Sequence, residues 1–343
     1  MTNITSSAKF LAQQHFKKHF PVFCFTYKEA GNNIDFTVYE PEIKIANPKL
    51  SGKTILAIHG MSPLGADDPR FISACKSLSG CGYIVVAPHI ESIRNLQIDP
   101  SAIDQIISII NTITDNKYIC PEGRLSVFAA SFAGGLALIA SCNENIAQKI
   151  SSICLIGSFS SMEKSIYYLL SNQDSDDYGR LIILKNFLKY SINVSDEIYK
   201  ALDIAISDNF LCREFPDLPG FLNTMPLKDY DIFIRLMNDP YFRQYHWDRI
   251  KKNRDFEQIL DKVNSETTFN KISASILIMH GVNDKVIPAL ESIRLYNELR
   301  RTQVRTKLIL SPLLSHSEMK INVNVIPAVA DLLKGMSFFF SAI

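Results

Sequence analysis

Ser131 stands in Ala129-Ala130-Ser131-Phe132-Ala133-Gly134-Gly135, where a short apolar run gives way to a helical pattern. A serine held on a sharp strand-to-helix turn is exposed for attack, and that turn needs a strained backbone with small residues two positions to either side. Ala129 and Ala133 fill those positions, which glycine usually occupies. A hydroxyl is a weak nucleophile until a base takes its proton, and imidazole, with an ordinary pKa of about 6.5, suits that task. His316 lies in Leu314-Ser315-His316-Ser317, after the last strand-like run, and Asp284 lies in His280-Gly281-Val282-Asn283-Asp284, after the run before it. An earlier run ends in His59-Gly60-Met61, so the backbone N–H groups of Met61 and Phe132 are candidate donors to an oxyanion. The chain order is therefore Ser, Asp, His, each just past a strand end. Taken singly, Ser131 also fits a tight helix-strand contact, and His59-Gly60 a plain turn.

The remaining histidines have plainer tasks. His59 and His280 compete with His316 as base, but each belongs to a strand-end glycine turn, where an imidazole orients a loop by hydrogen bonding. His89 after Pro88 fits packing near a pocket. His15 and His19 are one helical turn apart, yet Phe16-Lys17-Lys18 between them lacks the glutamate of a zinc-protease helix. Asp67-Asp68 reads as a helix cap. No metal site and no cofactor is expected.

Elements must carry these groups to one place. Val22 to Lys28 and Ile34 to Glu40 flank Gly31-Asn32-Asn33 and predict a hairpin. Thr54–Ile58, Tyr83–Ala87, Leu125–Ala129, Ile150–Gly157, Ser275–Met279 and Thr306–Leu310 are short apolar runs of the kind buried on both faces of a parallel sheet. Helical patterns separate them: one after Asp68-Pro69, one after Asp99-Pro100, then Gly134–Asn143, Ala289–Arg300 and Val325–Phe338. The alternation predicts an α/β fold, a doubly wound and mostly parallel sheet with helices on both faces. From Phe159 for about 110 residues the pattern is helical, broken by Pro216, Pro219, Pro226 and Pro240, with no convincing strand.

Those residues, in that order and on that background, resemble the α/β-hydrolase superfamily, above all the branch of dienelactone hydrolases, prolyl-oligopeptidase-type peptidases and small serine esterases. The resemblance covers about 22–159 and 269 to the end. It implies Ser131 as nucleophile, His316 as general base and acid, and Asp284 as the group that orients the imidazole and balances its charge. The alanines of the elbow depart from the family pattern but keep its small size. The implied activity is cleavage of a carboxylic ester through an acyl-enzyme. Thioesterase, peptidase and acyltransferase share that triad, and a non-catalytic binding protein retaining the fold is the reading from another class.

Domain organisation follows: 1–159 and 269–343 as the catalytic core, 160–268 as a helical cap that selects substrate. Tyr167, Tyr168, Tyr241, Phe242, Tyr245 and Trp247 suit a substrate with an apolar part, or else build the cap's own core. Arg243, His246, Arg249, Lys251, Lys252 and Arg254 form either an anion-reading cluster or a solvated charged face. The expected partner is a small ester or acyl compound. With 36 basic and 35 acidic side chains the chain lacks the field of a general nucleic-acid binder. No apolar run is long enough to cross a bilayer, and the apolar tail Ser337 to Ile343 reads as the end of a core-packed helix. Seven cysteines without metal spacing, and no secretory leader, predict reduced thiols and a cytoplasmic location.

Overall fold

A computed structural model describes residues 2–28, 34–42, 52–264, 269–316 and 326–343. Strands and the helices of ten or more residues are numbered in chain order. They run α1 (Thr2–Phe16), β1 (Val22–Lys28), β2 (Asp35–Pro41), β3 (Thr54–Ile58), α2 (Pro69–Gly80), β4 (Ile84–Pro88), α3 (Ser101–Asp115), β5 (Leu125–Ala130), α4 (Ser131–Ala140) and β6 (Ile150–Ile156). Then come α5 (Met162–Ser171), α6 (Asp177–Phe187), α7 (Asp196–Leu211), α8 (Leu227–Asn238), α9 (Pro240–Ile250) and α10 (Arg254–Val263). The chain closes with β7 (Ser275–Gly281), α11 (Ala289–Arg301), β8 (Thr306–Ser311) and α12 (Ile326–Phe340).

Two compact units are formed. The first comprises Met1–Ser160, Ser265–Asp284 and Ala289–Ile343, the second Ser161–Asn264 and Lys285–Pro288. In the first, eight strands make one sheet in the order β1-β2-β4-β3-β5-β6-β7-β8. The β1/β2 and β2/β4 pairs are antiparallel and the others parallel, which is the mostly parallel sheet that the alternation predicts. The expected hairpin is β1 and β2, paired from Val22↔Pro41 to Lys28↔Asp35, while Gly31-Asn32-Asn33, the segment 43–51 and Val325 lie outside the described residues.

Order in the sheet has a functional consequence. β4 follows β3 on one side, and the chain then crosses back over β3 to form β5 on its other side. A crevice opens at such a switch point beyond the carboxyl ends of the strands, here after β3 and β5. Every residue of β3 is buried, as an inner strand of a two-faced sheet requires. On one face, Ile55, Ala57, Val85, Phe128, Leu277 and Met279 pack with Phe10 of α1, Leu78 of α2 and Phe339 of α12. Phe339 and Phe340 are buried, so the apolar tail is core. α3, which buries Ile106, Ile109, Ile110 and Ile113, packs on α4, and α4 on β5 and β6. Asp68 caps α2 by accepting from the Arg70 N–H, and its carboxylate also takes the Ser62 hydroxyl at 2.8 Å.

The second unit contains no strand among its described residues. Trp247 is buried edge-on to Phe256, which also meets Phe187, so the single tryptophan builds this unit's core. The basic cluster divides. Arg243 is 1% exposed, burial lowers its pKa to about 10, and its guanidinium donates to the carbonyls of Leu170, Leu236 and Met237. His246 is buried with its Nδ1 2.7 Å from Ser191 Oγ. The cluster is therefore not one charged face, because two of its members satisfy buried backbone and hydroxyl groups. Among the described residues, no helix is long and apolar enough to cross a membrane. Five of the seven cysteines are buried.

Burial holds two imidazoles neutral, His59 in the first unit and His246 in the second, and lowers the pKa of each. In the unfolded chain both protonate near pH 6.5, so the unfolded state binds more protons below that pH and stability falls with it. The melting temperature is expected to drop between pH 7 and pH 5, with up to about 1.4 kcal/mol lost per pH unit per imidazole. Thermal melts across that range, flat if both histidines ionise freely in the folded state, check it.

Candidate active site

β5 runs straight into α4, and the joint is Ser131, whose φ is +56°. A side chain in the left-handed region costs about 1–2 kcal/mol. Sequence pattern places the helix start at Gly134, whereas the helix begins at Ser131 itself. The strained joint lets the chain enter α4 with no side-chain cap. Backbone strain of this kind gathers at functional turns, and Ser131 here is half-buried.

Ser131 Oγ lies 2.7 Å from His316 Nε2. On the other side of that ring, Nδ1 lies 2.9 Å from Asp284 Oδ2. Asp284 comes from the loop after β7 and His316 from the segment after β8, so three separate strand ends meet. Those strand ends are held together by a close approach. A Cβ on Gly281 would lie 2.3 Å from the Leu314 carbonyl oxygen, which leaves glycine as the residue that fits. Gly157, at the end of β6, has φ +60°, and a Cβ there would sit 3.5 Å from both Asp284 Oδ2 and His316 Nδ1. The sequence marks Gly157 as a strand end and gives no sign that it underlies the Asp-His bond.

The Asp284 carboxylate has a second imidazole. His280 Nε2 lies 3.3 Å from the same Oδ2, and His280 Nδ1 lies 2.6 Å from Ser292 Oγ on α11. Both side chains of the His280–Asp284 pair are all but inaccessible, at 0% and 1% exposed. Burial works to raise the Asp284 pKa, but His316, and then His280, outweigh it and hold the carboxyl well below the usual carboxylate range. The group is a fixed negative charge.

His59 does not approach this centre as a base. Its Nε2 accepts the Ile90 N–H at 3.4 Å and its Nδ1 faces the Gly60 carbonyl at 3.0 Å, so the ring ties the loop after β3 to the loop after β4. A Cβ on Gly60 would fall 3.7 Å from Ser131 Cβ, which puts the backbone of that loop, with Met61 next in line, beside Ser131. Phe132 follows Ser131 in the first turn of α4, where amides have no partner within the helix. Its ring stacks on Phe159 at 6.2 Å, and Gly135 packs against that same ring. His89 meets Thr37 Oγ1 at 2.9 Å, and His19 the Ser77 hydroxyl at 3.1 Å. Among the described residues no group of three or more His, Cys, Asp and Glu has metal-holding geometry. Chemically, the row Asp284, His316, Ser131 can draw a proton off a hydroxyl while balancing the charge that forms on imidazole.

Residues 231–336 match the model of the prolyl oligopeptidase family. No curated protein matches the chain in sequence. Among solved structures, the acylaminoacyl peptidase of Pyrococcus horikoshii is similar at 13% identity with a TM-score of 0.52, over 95% of this chain and 42% of that one. A thermostable esterase of Pseudomonas putida is similar at 15% identity and 0.53, over 98% of this chain and 88% of that one. A puromycin-hydrolyzing peptidase of Mycobacterium tuberculosis is similar at 12% and 0.52, over 94% and 40%. The chain spans less than half the length of either peptidase. Identities this low speak for the fold alone. The sheet order and the likeness to these structures give the chain the α/β-hydrolase fold, and residues 231–336 carry its match to the prolyl oligopeptidase family.

Proposed function

We propose that the protein is a serine hydrolase that cleaves a carboxylic ester through an acyl-enzyme. The observation that carries this is the unbroken row Asp284, His316, Ser131 at 2.9 and 2.7 Å, ending on a serine in left-handed backbone. Ser131 Oγ attacks the acyl carbon while His316 Nε2 takes its proton, and Asp284 stabilises the imidazolium through Nδ1–H. The backbone N–H groups of Met61 and Phe132 receive the oxyanion, each such donor contributing about 3–4 kcal/mol to the transition state. As the tetrahedral intermediate collapses, His316 returns the proton to the leaving alkoxide and the alcohol departs. Water then gives its proton to His316 and attacks the acyl carbon, and the acid is released with Ser131 protonated again. No metal or organic cofactor enters these steps.

The acyl part of the substrate is taken as apolar on the aromatic content of the second unit's sequence, since Phe132 and Phe159 beside Ser131 are themselves buried against each other. The helical segment Ser161–Asn264, which lies in sequence between Ser131 and Asp284, is assigned the selection of that substrate, as a cap. A peptidase is the second reading, favoured by the family match over 231–336. p-Nitrophenyl esters and p-nitroanilides of the same acyl groups separate the two. Esters are expected to exceed anilides in kcat/KM by about 100-fold or more, since an amine leaves less readily than a phenoxide. Anilide or peptide turnover at or above ester turnover would assign a peptidase.

A further inference from the structure

α1 buries a face that is partly polar and exposes one that is apolar. Inward, Phe10 lies edge-on to Phe128 and Phe340, and Leu11 is buried beside it. The rest of the inner face is Ser6, Ser7 and Gln13. Gln13 donates to the Ser77 carbonyl at 3.1 Å and Gln14 to the Ser77 hydroxyl at 2.8 Å, so the helix is fixed on α2 and its rotation is set. Outward, Ile4, Ala8, Ala12 and Phe16 recur at every fourth position, which lines them up along the helix. All four are exposed, Ile4 by 64% and Phe16 by 66%. A surface helix ordinarily carries its charged residues there.

The charge lies around that stripe. From residue 1 to 20 the sequence has Lys9, Lys17 and Lys18 and no Asp or Glu, although the whole chain nets only +1. Lys17 ends the helix with φ +50°, and Phe20 follows, also exposed, with its ring centroid 5.7 Å from Lys9 Nζ. Apolar side chains flanked by lysines match the boundary of an anionic bilayer, where acyl chains take the first and phosphates the second. Nucleic acid would leave the apolar stripe in water. A second copy of the same patch would set lysine against lysine.

We propose that the outer face of α1, with Lys17, Lys18 and Phe20, docks the protein on an anionic lipid bilayer. Phe16, Phe20 and Ile4 enter the interface and the lysines meet lipid phosphate. Nothing in this depends on the catalytic reading.

Co-sedimentation of the full chain with phosphatidylcholine vesicles, alone or with 30 mol% phosphatidylglycerol, tests it. Binding is expected for the anionic vesicles only, and to weaken at high salt. Lys17→Gln with Lys18→Gln is expected to lower partitioning about 25-fold, at roughly fivefold per lysine. Phe16→Ser with Phe20→Ser is expected to lower it by about tenfold or more, with melting temperature and turnover of a water-soluble substrate unchanged in both variants. The proposal is overturned by absent binding, by equal binding to neutral vesicles, or by full binding of either variant. A dimer in sedimentation velocity that Phe16→Ser with Phe20→Ser abolishes would also overturn it, and would give the face to a second copy.

Discussion

Ser131→Ala is expected to lower kcat by about 10⁶-fold, because a methyl group has no proton for His316 to take and no lone pair to attack with. Its companion Ser131→Gly separates chemistry from strain. Both variants are equally inactive, but alanine keeps a Cβ at φ +56° and glycine does not. Relief of the left-handed penalty, less the entropy glycine gains when unfolded, makes the glycine variant more stable than the alanine variant by about 1 kcal/mol. Urea denaturation of the pair reads that difference directly. Equal stabilities would mean that the elbow is not strained at Ser131.

Asp284→Asn is expected to lower kcat by about 10⁴-fold with KM nearly unchanged, since the charge acts on the imidazolium that forms in the transition state. His316 would then accept the serine proton with no fixed negative charge at its Nδ1, 2.9 Å away in the native arrangement. The same change has a signature in stability. The folded-state pKa of Asp284 is depressed, so its ionisation contributes stability above the unfolded value near 3.9 and that contribution is lost as pH falls through the folded one. Asp284→Asn should therefore show a shallower loss of melting temperature below pH 4 than the wild type. kcat and KM with one ester, plus melts from pH 5 to pH 2, check both statements. A variant that keeps more than a tenth of wild-type kcat would remove Asp284 from the mechanism.

Much of the first unit was legible because its strands are short apolar runs ending in glycine turns, as at Thr54–Ile58 and His59-Gly60. The residues that meet in space, Ser131, Asp284 and His316, are legible since each follows such a run and their order along the chain resembles that of the α/β-hydrolase superfamily. His280 was legible only as the orienter of a loop, and its bond to Asp284 required the fold. Gly157 was not legible as part of the site, because a glycine after a strand is ordinary until something is found beneath it. α1 is not legible for a physical reason: with Ile4, Ala8 and Phe16 outside and Phe10 and Leu11 inside, its apolar residues lie on both sides and blur the period. The basic cluster misled in the opposite sense, as Arg243 and His246 turn inward to satisfy backbone and hydroxyl groups that no sequence pattern reveals.

The central claim is that Ser131 is an activated nucleophile. A fluorophosphonate probe offered to the folded chain, followed by intact-mass measurement and peptide mapping, tests it most directly. One adduct per chain on Ser131, absent from Ser131→Ala and strongly slowed in Asp284→Asn, is the predicted result. A folded chain that takes no label, or that labels as well without Ser131 as with it, would contradict the account and favour a binding protein that retains the fold.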